Sequence, residues 1–310
     1  MVHDDVVQLA RELIAIPSET TASNETVCDF LQTWLESRDF EVERVAYMHP
    51  EDTAKVNLIA KRGSGSGGLG FFSHSDTVPG DPRNWEPLDP VIQDGKLFGR
   101  GSCDMKGPLA ATLVAAANAE SGKLRKPVYV AITSDEEQKH QGAHYILEHS
   151  STLSEGWPEY AVVAEPTQLQ PVYAHKGGAS ITVTAYGKAA HTSTEKGVSA
   201  NFIIAPFLAD MAELVPVFRN TESFKNHEFD PPTNGFNLTI DDGNCRPNVT
   251  AGKTVAHMFL RLMPDDHRDE QIAMIREKAE AYNLEFDLHV IEPFYIDPSA
   301  PVVQLSLIHI

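Results

Sequence analysis

The stretch that decides the fold is LGFFSHSDTVP at residues 69–79, an apolar run that ends in a histidine and an acid. The run predicts a buried strand over residues 69–73, and groups that follow parallel strands are displayed at one edge of the sheet. His74 is placed to bind a metal ion, since neutral imidazole is a good zinc ligand, and Asp76 is placed to orient it. Alone, the pattern is more typical of a histidine whose hydrogen bonds are satisfied at a strand end.

Strands and helices alternate on both sides of this stretch, which indicates an α/β layer with a mostly parallel sheet and flanking helices. Helical spacing of apolar residues predicts a first helix that Pro17 ends and a second that Ser23 or Asn24 caps. The other predicted elements are strands at residues 56–60, 128–134 and 160–164 and a helix at about residues 108–120.

The pattern changes after Lys176. Strands are predicted at residues 179–186, 235–240, 253–262 and 284–291, and helices at residues 198–214 and 267–282. Two helices on a four-stranded antiparallel sheet form an α+β module of the size of a small domain. The predicted fold class is therefore an α/β domain that carries an inserted α+β module.

Composition narrows the possible partners and location. A net charge of −19 argues against a nucleic acid or an anionic membrane as partner. Cys28, Cys103 and Cys245 are far apart and odd in number, and none is in a CxxC pair, which argues against a disulfide framework or a zinc knuckle. The chain starts without a signal-peptide pattern, and no stretch approaches the ~20 apolar residues of a membrane span. A reducing, cytoplasmic location is the simplest interpretation.

Three further motifs bring carboxylates to predicted element ends. GRGSCDMKG at residues 99–107 places Asp104 between glycines just before a helix, where its two oxygens could each reach a metal ion. The alternative for Asp104 alone is a helix N-cap. AEPT at residues 164–167 ends an apolar run and adds Glu165, for which a loop glutamate before a turn proline is the alternative.

The third motif, SDEE at residues 134–137, ends another apolar run. Its adjacent acids repel one another, so two metal ions would stabilise them, with one glutamate as ligand and its neighbour as proton carrier. A solvated acidic loop is the common alternative. All four motifs lie at element ends that one sheet could bring together, and a set of histidine and carboxylates suits zinc, with manganese or cobalt as substitutes.

These motifs, with YGKAAHTSTEKGVSAN at residues 186–201, resemble the metallopeptidase family of acetylornithine deacetylase, succinyl-diaminopimelate desuccinylase, carboxypeptidase G and the aminoacylases. The resemblance implies a two-zinc amidohydrolase that cleaves the amide bond of a small N-acyl amino acid or peptide-like substrate. GRGSCDMKG looks closest to the acetylornithine deacetylase branch. A desuccinylase, a carboxypeptidase or a dipeptidase of the same family is the alternative.

The resemblance also assigns roles to single residues. The implied metal ligands are His74, Asp104, Glu137 and Glu165. Asp104 would bridge the two zinc ions, and the Asp104–Met105 peptide bond is expected to be cis. Asp76 would orient His74. Glu136 would act as general base and acid, taking a proton from a metal-bridging water and passing it to the leaving amine.

The family pattern divides the chain into a catalytic domain, residues 1–176, and an inserted lid and dimerisation domain, residues 177–292. His191 resembles the lid histidine that reaches the active site of a partner subunit in a homodimer. Asn248 resembles a lid asparagine near the substrate. Arg261 resembles an arginine that binds the substrate carboxylate in some relatives, and a structural ion pair is the alternative here.

Departures from the family pattern predict a truncated chain. Gln138 replaces a glycine after the double glutamate, and the sequence after Asn248 lacks a valine-proline pair. The family's last metal histidine has no counterpart, because only residues 293–304 resemble the returning catalytic segment. We expect residues 305–310 to be an artefactual tail, so that His309 is not that ligand. We therefore expect an active full-length parent enzyme of which this chain is an impaired fragment, and a natural non-catalytic homologue is the alternative.

Overall fold

The computed structural model of the chain describes residues 2–49, 52–83, 85–119, 121–138, 140–264 and 267–309. These residues form two compact units, a first unit that extends to Gln170 and a second unit over Pro171–His309. The end of the predicted helix at Glu120 and the last residue of the predicted tail, Ile310, lie outside the described residues. The domain boundaries after residues 176 and 292 stay predictions.

The first unit contains seven strands and five helices among its described residues. The strands are β1 (Glu41–His49), β2 (Thr53–Arg62), β3 (Leu69–His74), β4 (Val91–Gln93), β5 (Lys96–Phe98), β6 (Val128–Thr133) and β7 (Tyr160–Val163). The helices are α1 (Val2–Ala15), α2 (Glu25–Glu36), α3 (Lys106–Asn118), α4 (Gln141–His149) and α5 (Ser151–Glu155).

Five of these strands form a sheet in the order β1-β2-β6-β3-β7. β3 runs parallel to both β6 and β7, whereas β2 pairs antiparallel with β1 and β6. Side chains of β6 alternate between two cores: Val130 packs with α1, α2 and α3 residues such as Leu31, and Ala131 packs with Ile146 and Leu153 of α4 and α5. Burial on both faces explains why β6 is an uninterrupted apolar run.

The sequence prediction missed β1, the short strands β4 and β5 and the helices α4 and α5, and it misassigned one side chain. β1 was missed because its sequence, EVERVAYMH, mixes charged and apolar residues and buries only part of one face. Asn24 does occupy the N-cap position of α2, but its side chain makes no capping hydrogen bond. It instead accepts from the backbone N–H of Val56 and donates to the Val56 carbonyl, both at 2.8 Å, which ties α2 to β2.

The second unit contains the predicted α+β module. Its strands are β8 (Ala174–His175), β9 (Gly177–Tyr186), β10 (Phe236–Asp241), β11 (Lys253–Leu262), β12 (Glu285–Ile291) and β13 (Phe294–Tyr295), and its helices are α6 (Ala200–Asn220), α7 (Arg268–Ala281) and α8 (Pro301–His309). Four strands form an antiparallel sheet in the order β10-β11-β9-β12, with β8 and β13 paired separately. Both parts of the predicted fold class are confirmed. Helix α8 includes residues 305–309 of the predicted tail.

Helix α6 differs from the expectation that no stretch would approach membrane-spanning length. Among the described residues it is long and apolar enough to cross a membrane by length and composition. Its buried side chains follow one helical face and pack against β9 and β11 in the core of the second unit, including Ile204, Phe207, Met211, Leu214 and Phe218. This one-sided burial is typical of a helix that lies with one face on a sheet.

Candidate metal centre

The ends of three neighbouring parallel strands build the candidate site. His74 is the last residue of β3, and β6 and β7 on either side continue into the SDEE and AEPT motifs. Hydrogen bonds extend the pairing past the strand ends, from Ser75 N to Thr133 O and from Ala164 N to Phe72 O, both 2.9 Å. Since parallel strands end at the same edge, their terminal side chains meet there.

His74, Asp104 and Glu165 meet at this edge. The Nε2 atom of His74 lies 3.2 Å from Oδ1 of Asp104 and 3.7 Å from Oε1 of Glu165. One ligand atom from each of the three residues lies within 4.8 Å of the others. Asp104 lies two residues before the start of α3, whose N-cap residue is Met105, and the Asp104–Met105 peptide bond is cis, as expected. A histidine nitrogen and two carboxylates at such distances are a suitable donor set for one zinc ion.

His74 is held in one orientation. The side chain is 1% exposed, and its Nδ1 atom lies 2.9 Å from the backbone oxygen of Asp76 and 3.6 Å from the carboxylate of Asp76. These contacts leave Nε2 to face Asp104 and Glu165. Burial alone would lower the pKa of His74, but the carboxylates of Asp76, Glu136 and Glu165 outweigh it and raise the pKa to about 9.

Asp76 joins His74 to the glutamate loop. Its carboxylate accepts hydrogen bonds from the backbone N–H groups of Glu136 and Glu137, at 3.3 and 3.2 Å. Burial alone would raise the pKa of Asp76, but contacts with His74, the Thr20 hydroxyl and the Glu137 N–H lower it. One carboxylate therefore fixes a candidate metal ligand and the loop that carries two more candidate residues.

Two glutamates are in surroundings that disfavour their charge. Burial, followed by the nearby Asp104 carboxylate, raises the pKa of Glu137. Burial also raises the pKa of Glu165, with Asp104, Glu136 and Glu137 adding to the effect. A bound cation would offset this crowding of acids, so the residues present fit the metal that the sequence predicts.

Glu136 contacts two histidines. Its Oε2 atom lies 3.7 Å from Nε2 of His74, and its Oε1 atom lies 3.4 Å from Nδ1 of His140. The hydrogen bond from His140 is the main reason that the pKa of Glu136 is lowered. His140 was not identified from the sequence. The sequence signal was indirect: Gln138, two residues earlier, replaces a glycine of the family pattern and marks this loop as different. In the structure His140 has a left-handed backbone with φ 55°, a conformation that favours glycine.

Sequence reasoning also missed a set of polar residues behind the loop. Asn57 accepts hydrogen bonds from the backbone N–H and the hydroxyl of Ser134, at 2.9 and 3.1 Å. Asp135 lies buried beside Lys55, at 3.4 Å. Burial raises the pKa of Tyr47, which donates to Asp135, to about 12. The positive partner of Asp135 is thus a lysine, whereas the sequence indicated only metal ions for this cluster.

The three remaining predicted residues all lie in the second unit. His191 pairs with Val249 across an isolated bridge, so His191 and Asn248 occupy adjacent segments. The Nδ1 atom of His191 lies 2.7 Å from the Ser193 hydroxyl. Arg261 is the second-last residue of β11, and its guanidinium lies 5.1 Å from the ring of Phe259.

An α/β unit that gathers a histidine and carboxylates at the ends of parallel strands defines a candidate metal-dependent hydrolase. The family described as peptidase family M20/M25/M40 matches residues 70–305. The chain therefore belongs to this family, and the predicted family resemblance is confirmed.

Individual relatives agree with this assignment. The chain is 33% identical over 288 residues to the acetylornithine deacetylase of Proteus mirabilis (strain HI4320), an alignment that covers 88% of this chain and 72% of the relative. The structure of an M20 family metallo-carboxypeptidase from Sulfolobus solfataricus is similar with a TM-score of 0.70 and 15% identity, covering 97% of this chain and 81% of that one.

A further similar structure is a dinuclear metal-binding peptidase of the M20 family from Bacillus subtilis, with a TM-score of 0.55 and 15% identity. This similarity covers 95% of this chain and 75% of that one. Together the family and the relatives show that the protein is a metallo-amidohydrolase, and the predicted class of enzyme is confirmed.

Proposed function

We propose that the protein hydrolyses the amide bond of N-acetylornithine or a closely similar N-acyl amino acid, with two zinc ions as cofactors. One observation carries the proposal: ligand atoms of His74, Asp104 and Glu165 lie within 4.8 Å of one another, beside Glu136. The identity to an acetylornithine deacetylase over 88% of the chain supports this substrate class. We also propose a cytoplasmic location, since Cys28, Cys103 and Cys245 form no disulfide with one another.

The four candidate ligands divide between the two proposed zinc positions. His74 and Glu165 would hold one ion, Glu137 would hold the other, and Asp104 would be a ligand of both. When bound, the zinc ions would lower the pKa of a water molecule and polarise the scissile carbonyl. Cobalt or manganese could substitute, because both accept the same nitrogen and oxygen donors.

The protein side chains supply orientation and proton transfer. Asp76 keeps Nδ1 of His74 occupied, so that Nε2 is presented to the metal. Glu136 accepts the proton of the attacking water and delivers it to the nitrogen of the leaving amine. Glu136 is ionised at neutral pH, as a general base must be, and the hydrogen bond from His140 lowers its pKa further.

For the second unit we propose a homodimer in which His191 reaches the site of the other subunit and stabilises the developing oxyanion. Asn248 and Arg261 are the proposed substrate contacts, Arg261 for a substrate carboxylate. The exposed surface supports association, since Phe202 on α6 is 84% exposed and β10 is an edge strand. Sedimentation of the purified chain should give twice the monomer mass.

Glu136→Gln tests the proposed mechanism. We expect kcat for N-acetylornithine to fall about 10²–10⁴-fold, the range typical of losing a general base, while the zinc content per chain is unchanged. The matched control is Glu148→Gln on the exposed face of α4, which should keep both activity and zinc. If turnover of Glu136→Gln stays within tenfold of the parent, Glu136 is not the base.

A substrate panel separates the possible specificities. N-acetylornithine should be cleaved with the highest kcat/KM, ahead of N-succinyl-diaminopimelate, other N-acyl amino acids and dipeptides. A preference for a dipeptide or a C-terminal residue would assign the chain to a peptidase branch of the family. Zinc binding without cleavage of any of these amides would favour a non-catalytic homologue.

A further inference from the structure

The second residue of the SDEE motif is directed differently from its neighbours. Asp135 adopts a left-handed backbone with φ 63°, which is uncommon for a residue with a side chain. Glu136, the next residue, lies 3.7 Å from His74 of the metal centre. The carboxylate of Asp135 lies instead among residues of β1, β2 and the segment before α2, where it is 1% exposed.

Each oxygen of Asp135 has two partners. Oδ1 lies 3.4 Å from Nζ of Lys55 and 3.4 Å from the hydroxyl of Thr20. Oδ2 lies 3.3 Å from the hydroxyl of Tyr47 and 3.7 Å from Nε2 of His49. Because a buried carboxylate is stable only when it is paired, the contacts with Lys55, Thr20 and Tyr47 hold Asp135 in place, whereas Nε2 of His49 lies beyond hydrogen-bond distance.

The pairing of β1 with β2 assembles this pocket. Tyr47 is opposite Lys55 in the antiparallel register, so both side chains lie on one face, and His49 follows two residues later on the same face. Lys55 is 2% exposed and is held in turn by the backbone oxygens of Thr20 and Ala22, at 2.6 and 2.9 Å. The β1–β2 hairpin thus holds the charged Lys55 side chain in a fixed position, where it pairs with Asp135 of the loop after β6.

The rest of the loop is held at neighbouring positions. Asn57 binds Ser134, and Asp76 binds the N–H groups of Glu136 and Glu137. The Thr20 hydroxyl lies 3.4 Å from Oδ1 of Asp135 and also favours the ionised form of Asp76, which lowers the pKa of Asp76. A substitution of Asp135 should therefore displace the backbone of both Glu136 and Glu137.

From these contacts we propose that Asp135 is a positioning residue, which anchors the loop to Lys55 and Tyr47 so that Glu136 and Glu137 face the metal centre. The inference rests on the proposed metal-dependent function. Asp135 itself touches neither the metal nor the substrate in this proposal. Loss of the Asp135 carboxylate should have the effect typical of residues that orient metal ligands, a decrease of about 10–100-fold in metal affinity or activity.

Titration with Co²⁺ as the probe metal tests the proposal on the full chain. Asp135→Asn should weaken Co²⁺ binding about tenfold or more, change the visible absorption of the bound Co²⁺ and lower kcat about tenfold, with KM within twofold. Asp135→Glu should not restore the parent values, because the longer side chain displaces the loop. Tyr47→Phe, which keeps the ion pair with Lys55, should give the same changes to a smaller extent.

The matched control is Glu43→Gln, which removes a carboxylate of the same hairpin that binds the start of α5. This control should lower the thermal stability without changing Co²⁺ affinity, absorption or kcat. A purely structural role for Asp135 predicts the same pattern for Asp135→Asn, and that result would overturn the inference while the proposed function stands.

Two other outcomes are also decisive. If Asp135→Asn does not fold, Tyr47→Phe decides alone: parent-like Co²⁺ affinity and absorption would overturn the inference, and weakened, altered binding would support it. If the unsubstituted chain neither binds Co²⁺ nor cleaves N-acyl amino acids, the proposed function itself fails, and the role of Asp135 fails with it.

Discussion

The two units of the molecule bury different kinds of polar side chain. Among the described residues, the first unit buries ionisable groups, including Lys55, His74, Asp76, Lys106 and Asp135. The buried polar residues of the second unit are neutral: Thr184, Asn234, Thr254 and Gln271. Buried charges are costly unless they are paired, whereas neutral groups need only a hydrogen bond. The difference indicates that buried polar groups of the first unit serve the metal centre, whereas those of the second unit serve packing.

Several neutral groups of the second unit have hydrogen-bond partners within that unit, although Nε2 of Gln271 makes no hydrogen bond among the described residues. Asn234 donates to Gln271 at 2.5 Å and accepts from the backbone N–H of Met263 at 3.1 Å. Thr254 donates to Asn201 at 2.5 Å. The charged groups of the first unit instead form a connected set from the β1–β2 hairpin to the metal centre. A substitution should therefore act locally in the second unit and on metal binding in the first.

The largest expected effect on stability is in the second unit. Phe207→Ala removes a fully buried ring of α6 and should lower the free energy of unfolding of that unit by about 3–5 kcal/mol. Urea unfolding measures this change, and Co²⁺ affinity should stay within twofold of the parent. Val217→Ala on the same helix, where Val217 is 37% exposed, is the control and should cost within about 0.5 kcal/mol. Loss of Co²⁺ binding in Phe207→Ala would contradict the proposed division between the units.

The same contrast explains how much the sequence could predict. The second unit was predicted nearly strand by strand, because its apolar residues alternate in β9 and β11 around one core. In the first unit β3, β6 and β7 were predicted from apolar runs, and the parallel pairing then placed His74 beside Glu165. These inferences needed only local patterns and the rule that parallel strands end at one edge.

The residues behind the metal centre could not be predicted in this way. Tyr47 and Lys55 become neighbours only through the register of a hairpin whose first strand is too polar to be recognised. In the sequence, Asp135 is one more acid of the SDEE motif. The direction of its side chain depends on a left-handed backbone, which no residue type in the motif predicts. Motifs can identify donor atoms, but contacts between distant segments decide which carboxylates face the metal.

A smaller effect should distinguish the units by cysteine labelling. Cys28 is buried in the core of the first unit, and burial raises the pKa of its thiol to about 12, so it should react only when that unit opens. Metal at ten times its Kd should slow this labelling about tenfold, because a ligand stabilises the unit that binds it. Cys245 of the second unit should react at a rate that metal leaves unchanged. Mass spectrometry of timed alkylation measures both rates, and equal protection of both thiols would contradict the comparison.

The smallest expected effect concerns a carboxylate of the first unit that lies outside the metal centre. Glu43 on β1 accepts hydrogen bonds from the backbone N–H groups of Ser151 and Thr152, at 2.7 and 2.9 Å, and from the hydroxyls of Ser150 and Ser151. Burial alone would raise the pKa of Glu43, but these donors outweigh it and lower the pKa from 4.5 to about 2. Glu43→Gln should therefore cost about 1 kcal/mol of unfolding free energy at pH 7, similar to the loss of a helix cap.

The pH dependence of this loss has a definite sign. A carboxylate whose pKa is lower in the folded protein stabilises it fully above its unfolded value of 4.5, and this stabilisation is lost as the pH falls toward about 2. The difference in unfolding free energy between the parent and Glu43→Gln should thus be constant from pH 7 to pH 5 and shrink by pH 3. Urea unfolding at these three pH values measures it, with Glu148→Gln as an exposed control. A difference that grows on acidification would show that the hydrogen bonds to Glu43 do not favour its ionised form.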